Sequence, residues 1–278
     1  MLERDTARKK HTDMIQDLRS FPARKSLGQN FLHDENVVRK IVAAILPNAD
    51  QRIVEIGPGF GVLTAHLLAS GCQYTGIEID ERLVPALQEK YSDHSNFTLH
   101  HADFRTFDLR RISTEPASLR LVGNIPYHIT SSIIFTAFEH HQLIRDMVLM
   151  VQREVAERIV ASPGSKAYGI LSVISQTFAQ PKFLFTVSPN VFIPRPDVES
   201  AIVLWDFSQK KQPPPCDPSF FSAVIKKAFG QRRKTLRNSL KSYLAELKEP
   251  FPEPELLQKR PEALPVETLI EIANKLQT

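Results

Sequence analysis

The sequence predicts a doubly wound α/β domain with a mostly parallel sheet of seven strands, followed by a small all-helical domain. Short β-branched and apolar runs alternate with stretches of helical period between Ile53 and Phe207, which is the pattern of strands joined by crossover helices. The first of these strands ends in a glycine-rich turn that leads directly into a helix. After the proline-rich stretch from Ser208 to Ser219, every apolar period is helical.

Taken in order, the chain is expected to have four parts. They are a polar N-terminal extension over residues 1–23, the α/β domain over 24–207, a linker over 208–219 and a basic helical domain over 220–278. The segment Ile170–Phe178 is apolar and expected to be buried, without an assigned secondary structure. The predicted strands are Ile53–Ile56, Gln73–Ile79, Phe97–His100, Leu119–Val122, Asp146–Val151, Phe183–Val187 and Ala201–Phe207. The predicted helices are Asn36–Leu46, Val62–Leu68, Arg82–Glu89, Ser131–Glu139, Arg153–Val160, Phe220–Phe229, Thr235–Leu247 and Val266–Leu276.

Composition places the chain among soluble globular proteins. Of its 278 residues 42% are hydrophobic and 24% charged, and no apolar run reaches the roughly 18 residues of a membrane span. The first 25 residues are polar and lack the apolar core of a signal peptide. The two cysteines, Cys72 and Cys216, lie far apart without metal-type spacing, so unpaired thiols are expected. We therefore expect a cytoplasmic monomer that does not associate with a membrane.

Basic charge is concentrated near the C-terminus. Seven basic residues and no acidic residue lie between Lys226 and Lys241, although the net charge of the chain is only +4. Such a cluster suggests a polyanionic partner such as nucleic acid. A solvated helix face is the alternative that the cluster alone leaves open.

The glycine turn points to a ligand that carries a ribose. Gly57, Gly59 and Gly61 would let the backbone pass close to a ligand, and the helix beyond them begins with unpaired N–H groups. Glu78 lies 21 residues after Gly57 at the end of the next strand, where doubly wound folds bind ribose hydroxyls. A dinucleotide fingerprint would need its third glycine where this chain has Val62. The G-x-G-x-G spacing with a preceding acid instead resembles motif I of the S-adenosylmethionine-dependent methyltransferases.

Polar residues follow four of the predicted strands. Because ligands bind beyond the carboxyl ends of the strands, we expect Gly57/Gly59, Glu78, Asp103 and Asn124 to surround one site. Glu78 suits ribose hydroxyls, and Asp103 could accept a hydrogen bond from an adenine amino group. A lone aspartate after a strand could instead cap a helix.

The stretch Asn124-Ile125-Pro126-Tyr127 is the most specific in the chain. The Asn124 side-chain oxygen and a neighbouring carbonyl can accept both hydrogens of an exocyclic amine, while Tyr127 stacks on the base. Two acceptors favour the developing positive charge on the nitrogen in the transition state over the planar ground state. The sulfonium methyl group is already activated, so neither a metal nor a covalent nucleophile is expected. The adjacent histidine pairs His100-His101 and His140-His141 do not offer a shared face for a metal.

This stretch resembles the N-L-P-Y motif of the rRNA adenine N6,N6-dimethyltransferases, with Ile125 in place of leucine. The resemblance covers nearly all of residues 24–278 and leaves 1–23 outside. The segment Gln231–Leu240 is similar to the small-subunit branch of that family. Further matching segments are Gly28–Leu32, Val54–Gly61, Gln152–Ala156, Ser165–Gly169 and Phe192–Pro196.

The resemblance implies an activity and a set of residue roles. Family members of this branch dimethylate the N6 amino groups of two adjacent adenosines near the 3′ end of small-subunit (16S) rRNA, using S-adenosylmethionine. The implied partner is therefore small-subunit rRNA or an immature small ribosomal subunit, bound by Arg232, Arg233, Lys234 and Arg237. Phe192 would sandwich the target base opposite Tyr127, although from the sequence alone a core residue is the simpler interpretation. The implied cofactor contacts are Asn30, Leu32, Gly57, Gly59, Glu78, Asp103 and Asn124.

Two alternatives remain at this point. The first is the large-subunit rRNA adenine dimethyltransferase branch, against which Gln231–Leu240 and the helical C-terminal region argue. The second is a non-catalytic RNA-binding factor for ribosome assembly, in which the methyltransferase fold serves only as a binding scaffold. Intact Glu78, Asp103 and Asn124 argue against the second.

Overall fold

The computed structural model describes residues 15–16, 20–24, 27–208, 217–231 and 233–277. It has a seven-stranded sheet, as predicted, and a separate pair of very short strands. In chain order the strands are β1 (Phe31–Leu32), β2 (Arg52–Ile56), β3 (Gln73–Glu78), β4 (Phe97–His101), β5 (Leu119–Asn124), β6 (Ile144–Gln152), β7 (Gln180–Val187), β8 (Phe192–Ile193) and β9 (Ser200–Asp206).

The sheet has the order β4-β3-β2-β5-β6-β9-β7, and its first five strands are parallel to one another. Parallel strands covered on both faces are almost continuously apolar, which explains the buried runs of β2 and β5. The register between β5 and β6 places Arg120 opposite Asp146, and their side chains form a buried ion pair with N–O distances of 2.9 Å. The doubly wound, mostly parallel fold predicted from the sequence is confirmed.

The helices largely match the predicted ones. They are α1 (Glu35–Ile45), α2 (Val62–Ala69), α3 (Val84–Tyr91), α4 (Thr130–Glu139), α5 (Arg153–Ile159), α6 (Ile170–Phe178), α7 (Pro218–Phe229), α8 (Leu236–Ser239), α9 (Lys241–Glu246) and α10 (Val266–Gln277). No helix in these described parts of the chain is long and apolar enough to cross a bilayer.

Three local features of the structure differ from the sequence prediction. The prediction of a single helix over Thr235–Leu247 is wrong. The backbone leaves the helical region at Leu240 (φ −100°, ψ 15°), and this break separates α8 from α9. The apolar period continues across this break and therefore hides it. The unassigned segment Ile170–Phe178 is the helix α6, and the short pairing of β1 with β8 is too brief to leave a periodic signal.

The chain divides into two compact units. The first contains Met1–Arg153 and Leu184–Val203, and the second contains Glu154–Phe183 and Leu204–Thr278. The first unit holds β1 to β6, and the second holds α6 to α10. Most of the predicted linker and of the predicted N-terminal extension lies outside the described residues, so the predicted domain limits stay a prediction.

Candidate active site

A cavity of about 1030 Å³, including its open mouth, lies at the carboxyl ends of β2, β3 and β5 in the first unit. The N-terminal segment, residues 20–32 of which the structure describes all but 25 and 26, contains β1 and forms one wall of the cavity through residues 27–32. The structure thus brings most of the predicted site residues into one place. Those that line the cavity are Asn30, Leu32, Gly57, Gly59, Glu78, Asp103, Asn124 and Tyr127.

The three glycines of the turn have positive φ angles and serve different purposes. A Cβ on Gly57 (φ +65°) would meet no atom within 4 Å, so this position leaves open space at the turn. A Cβ on Gly59 would lie 3.3 Å from the ring of Phe31. A Cβ on Gly61 would lie 2.9 Å from the hydroxyl of Tyr91, so packing as well as backbone conformation requires glycine there.

Glu78 is buried at the end of β3, and its carboxylate is held by the backbone. Its Oε2 accepts a hydrogen bond from the N–H of Gly59 at 3.0 Å, and its Oε1 accepts one from the N–H of Asp80 at 2.8 Å. Burial raises the pKa of Glu78, while these two hydrogen bonds oppose the rise. Each oxygen retains a lone pair for a further donor, which is what two ribose hydroxyls require.

Asn124 is oriented by the N-terminal segment. Its Nδ2 donates a hydrogen bond to the main-chain carbonyl of Asn30, with 2.9 Å between the atoms. This bond sets the orientation of the amide, and the side-chain oxygen, which is the acceptor of the group, is left to accept a hydrogen bond from a ligand. The side chain of Asn30 in turn donates to the carbonyl of Gly28 at 3.3 Å.

The family follows from comparison with known proteins. A family model described as ribosomal RNA adenine dimethylase matches residues 20–277. The chain belongs to this family. It is 42% identical over 265 residues to the ribosomal RNA small subunit methyltransferase A of Pseudomonas aeruginosa, covering 94% of this chain and 97% of the relative. The protein of the same name from Pseudomonas putida is 46% identical over 222 residues, which cover 80% of this chain and 83% of the relative.

Solved structures agree with the fold. A dimethyladenosine transferase from Plasmodium falciparum has a TM-score of 0.71 at 24% identity, covering 88% of this chain and 95% of that one. The 23S rRNA methyltransferase ErmE has a TM-score of 0.63 at 27% identity, covering 90% of this chain and 100% of that one. The family predicted from the N-I-P-Y stretch is therefore confirmed, and so is its methyltransferase fold.

Tyr127 is anchored by a residue that no sequence motif singles out, Ser200. The half-buried Tyr127 follows β5, and its hydroxyl lies 2.6 Å from the Oγ of Ser200, which is fully buried at the start of β9. Burial raises the pKa of Tyr127. The hydroxyl end of this ring is thus anchored before any base arrives.

Glu55, the acid before the glycine turn, was only part of a motif in the sequence but lines the cavity in the structure. Its Oε2 accepts hydrogen bonds from the hydroxyls of Thr64 at 2.6 Å and Tyr74 at 2.7 Å. Burial raises its pKa to about 7 despite these two bonds, and the negative charge of Glu78 adds to the rise.

Asp103 has the helix-cap contacts that were the alternative interpretation. Its Oδ1 accepts from the N–H of Arg105 at 2.9 Å, and the guanidinium of Arg105 pairs with the same carboxylate. This pairing lowers the pKa of Asp103. The residue also lines the cavity, so capping does not remove it from the site, and its contact with an adenine amino group stays a prediction.

The other predicted residues that the structure describes are not among those that line the cavity. Phe192 is buried in β8, opposite Leu32 of β1, and does not line the cavity, so its stacking role stays a prediction. In the second unit, Arg233, Lys234 and Arg237 are exposed, whereas Arg232 lies outside the described residues. Among the residues that the structure describes, no group of His, Cys, Asp or Glu could hold a metal ion.

Proposed function

We propose that this chain is an S-adenosylmethionine-dependent rRNA adenine-N6,N6-dimethyltransferase. It dimethylates two adjacent adenosines near the 3′ end of small-subunit rRNA during small-subunit biogenesis. The observation that carries the proposal is one cavity with a ribose-type carboxylate, Glu78, on one side and the Asn124-Ile125-Pro126-Tyr127 stretch on the other. Relatives that are 42–46% identical are named ribosomal RNA small subunit methyltransferase A, which supports the choice of branch.

The cavity fits the cofactor. The space left at Gly57 and the lone pairs of Glu78 suit a ligand with a chain and a ribose, and Asp103 at the next strand end suits an amino group on its base. Asn30 and Leu32 would contact the cofactor from the N-terminal segment. When bound, S-adenosylmethionine supplies a methyl group activated by its sulfonium.

The residues of the N-I-P-Y stretch act on the target adenine. The Asn124 oxygen and a neighbouring main-chain carbonyl accept the two amine hydrogens, and Tyr127 supports the base by stacking. As the N6–CH₃ bond forms, the bond between the methyl group and the cofactor's sulfur would break and leave a neutral thioether. The nitrogen gains positive charge in this step and then releases a proton to solvent. Acceptors placed around this nitrogen are more valuable in the transition state than in the ground state, so they raise the rate.

The partner is small-subunit rRNA, free or within an immature subunit. The exposed Arg233, Lys234 and Arg237 provide positive charge for phosphate contacts, and Arg232 belongs to the same sequence cluster. We further propose that the enzyme acts as a monomer in the cytoplasm.

The test is to incubate the purified protein with labelled cofactor and undermethylated small subunits, and to map the modified nucleotides. We expect two adjacent N6,N6-dimethyladenosines near the 3′ end of the small-subunit rRNA, and a much lower yield with Glu78→Ala at a limiting concentration of cofactor. Methylation of large-subunit rRNA alone would contradict the proposal in favour of the other branch. Binding to immature subunits without any methyl transfer would support the assembly factor instead.

A further inference from the structure

Asp80, two residues after Glu78, is the centre of a buried hydrogen-bond network beside the cavity. Its side chain is fully buried, with Oδ2 accepting from Nε2 of Gln29 at 2.7 Å. The guanidinium of Arg82 donates to both carboxylate oxygens, at 2.8 Å and 2.5 Å. The main-chain N–H of Asp80 also donates to Oε1 of Glu78. One residue therefore contacts both the predicted ribose acceptor and the N-terminal segment.

The same network holds the N-terminal segment in several places. Oε1 of Gln29 accepts from the N–H of Arg24 at 2.9 Å, so the Gln29 amide links Asp80 to that residue. Arg82 donates to the carbonyl of Pro22 at 2.9 Å, and its guanidinium lies 4.4 Å from the ring centre of Phe21. Gln29 immediately precedes Asn30, whose carbonyl orients Asn124.

An aromatic cluster adds a second attachment. The rings of Phe21, Phe31 and Phe60 meet edge to face, with centroid distances of 4.9 to 5.8 Å. Phe60 belongs to the glycine turn, and Phe31 lies against Gly59. The N-terminal segment is thus fastened to the turn by apolar contact and to the end of β3 by Asp80.

Two similar Asp-x-Arg turns in the same unit show what is special about Asp80. Asp103 with Arg105 and Asp108 with Arg110 form the same local pairing, in which the aspartate accepts from the N–H and the guanidinium two residues later. Those two aspartate side chains are 26% and 39% exposed, whereas that of Asp80 is 0% exposed. The local turn therefore does not account for the burial of Asp80 or for its bond to Gln29.

We propose that Asp80 is a positioning residue for cofactor binding, which holds Glu78 and the N-terminal segment together around the cofactor cavity. The proposal rests on the proposed function, because it takes Glu78, Asn30 and Leu32 as cofactor contacts. The N-terminal segment forms one wall of the cavity, so a bound cofactor is held more firmly while this wall stays attached. Asp80 and Gln29 keep the wall attached, so they slow release more than they affect entry.

The experiment measures S-adenosylmethionine association and dissociation rates by stopped-flow, on the full chain. We expect Asp80→Asn to raise the dissociation rate about tenfold, the size associated with losing a hydrogen bond to a charged group, while the association rate changes little. Gln29→Ala should reproduce most of this increase, and the double variant should add little, since both changes break the same connection. Asp108→Asn is the matched control, because it alters the same kind of turn at an exposed position.

Wild-type dissociation rates in both Asp80→Asn and Gln29→Ala would overturn the proposal. If Asp80→Asn fails to fold, Gln29→Ala decides the outcome, because it leaves the Asp80–Arg82 pair and the Asp80–Glu78 bond in place. If Asp80 and Gln29 served stability alone, their variants would have a lower melting temperature but an unchanged S-adenosylmethionine dissociation rate. That result would also contradict the proposal. Failure of the wild-type chain to bind S-adenosylmethionine would instead refute the proposed function.

Discussion

The hydroxyl of Tyr127 lies 2.6 Å from the Oγ of Ser200, a residue with no exposed surface. The bond joins Tyr127 of the N-I-P-Y stretch, which begins at the last residue of β5, to the first residue of β9. It fixes the position of the hydroxyl and so limits χ1 rotation of the Tyr127 side chain, which keeps the ring near the place where it is expected to stack on the target base. Holding a side chain before binding reduces the entropy that binding costs.

Replacing Tyr127 separates stacking from anchoring. Tyr127→Ala should lose about 1–3 kcal/mol of transition-state stabilisation, because the flipped adenine loses its stacking partner. Tyr127→Phe keeps the ring and should retain most activity, yet it leaves the buried Ser200 Oγ without this partner at a cost of about 1–3 kcal/mol in stability. Single-turnover methylation and urea unfolding measure the two effects.

The control for this prediction is the double variant that carries both Tyr127→Phe and Ser200→Ala. Removing both partners of a buried hydrogen bond is nearly neutral, so the double variant should regain most of the stability that Tyr127→Phe loses. Equal activity of Tyr127→Ala and the wild type would show that the ring does not support the base.

Asn124 is expected to act on the chemical step. Asn124→Ala removes an acceptor that is most valuable when the amine nitrogen becomes positive, so the methyl-transfer rate should fall about 100-fold to 1000-fold, as when an oxyanion-hole donor is removed. Single-turnover methylation at saturating RNA and cofactor isolates this step. Cofactor affinity should fall much less. A wild-type rate in this variant would remove Asn124 from the role of amine acceptor.

Glu78 should determine cofactor affinity. Glu78→Ala removes a carboxylate that can accept ribose hydroxyls, and a hydrogen bond to a charged group contributes about 1.5–3 kcal/mol. Calorimetric titration with S-adenosylmethionine should show that loss, while RNA affinity stays near the wild-type value. Unchanged cofactor affinity would place Glu78 outside the binding site.

The site residues that directly follow strands could be predicted from the sequence. The contacts that join segments far apart in the sequence could not. Gly57, Glu78 and Asn124 each lie at a strand end, so the parallel topology alone brings them together. Tyr127 and Ser200 are 73 residues apart, and Gln29 and Asp80 are 51 apart. Neither pair has a periodic pattern or a motif, because each contact forms only when the tertiary fold brings two distant segments together at the end of the sheet.

Local chemistry also left open choices that only tertiary contacts decide. Asp103 could be a helix cap or a ligand, and the structure shows both the cap and a place in the cavity lining. Glu55 could be recognised in the sequence only as part of the glycine motif. Its hydrogen bond with Tyr74 depends on the register between β2 and β3, which the sequence does not specify. The partners of such carboxylates cannot be identified from the sequence alone, because they lie on neighbouring strands, helices or turns.

The exposed basic residues of the second unit should give RNA binding its salt dependence. Replacing Arg233, Lys234 and Arg237 with glutamine removes three potential phosphate contacts. The slope of log affinity against log salt should then become shallower by about 2 to 3, since each contact contributes about 0.7 to 0.9. Fluorescence anisotropy with small-subunit rRNA at several salt concentrations measures the slope. Glutamine at the exposed Arg39, Lys40 and Lys182 is the control for net charge, and an equal change there would contradict a localised RNA surface.

Glu55 should make the free energy of unfolding depend on pH near neutrality. Burial raises its pKa from the ordinary 4.5 to about 7, so between these values the folded protein holds a proton that the unfolded chain has lost. The stabilisation is complete below pH 4.5 and is lost as the pH rises through 7, with a total of roughly 3 kcal/mol. Glu55→Gln keeps an oxygen that can accept from Thr64 and Tyr74 but does not ionise. Urea unfolding should therefore show similar stabilities at pH 4.5 and a more stable variant at pH 8, whereas parallel pH profiles would show that Glu55 ionises in the fold as it does in the unfolded chain.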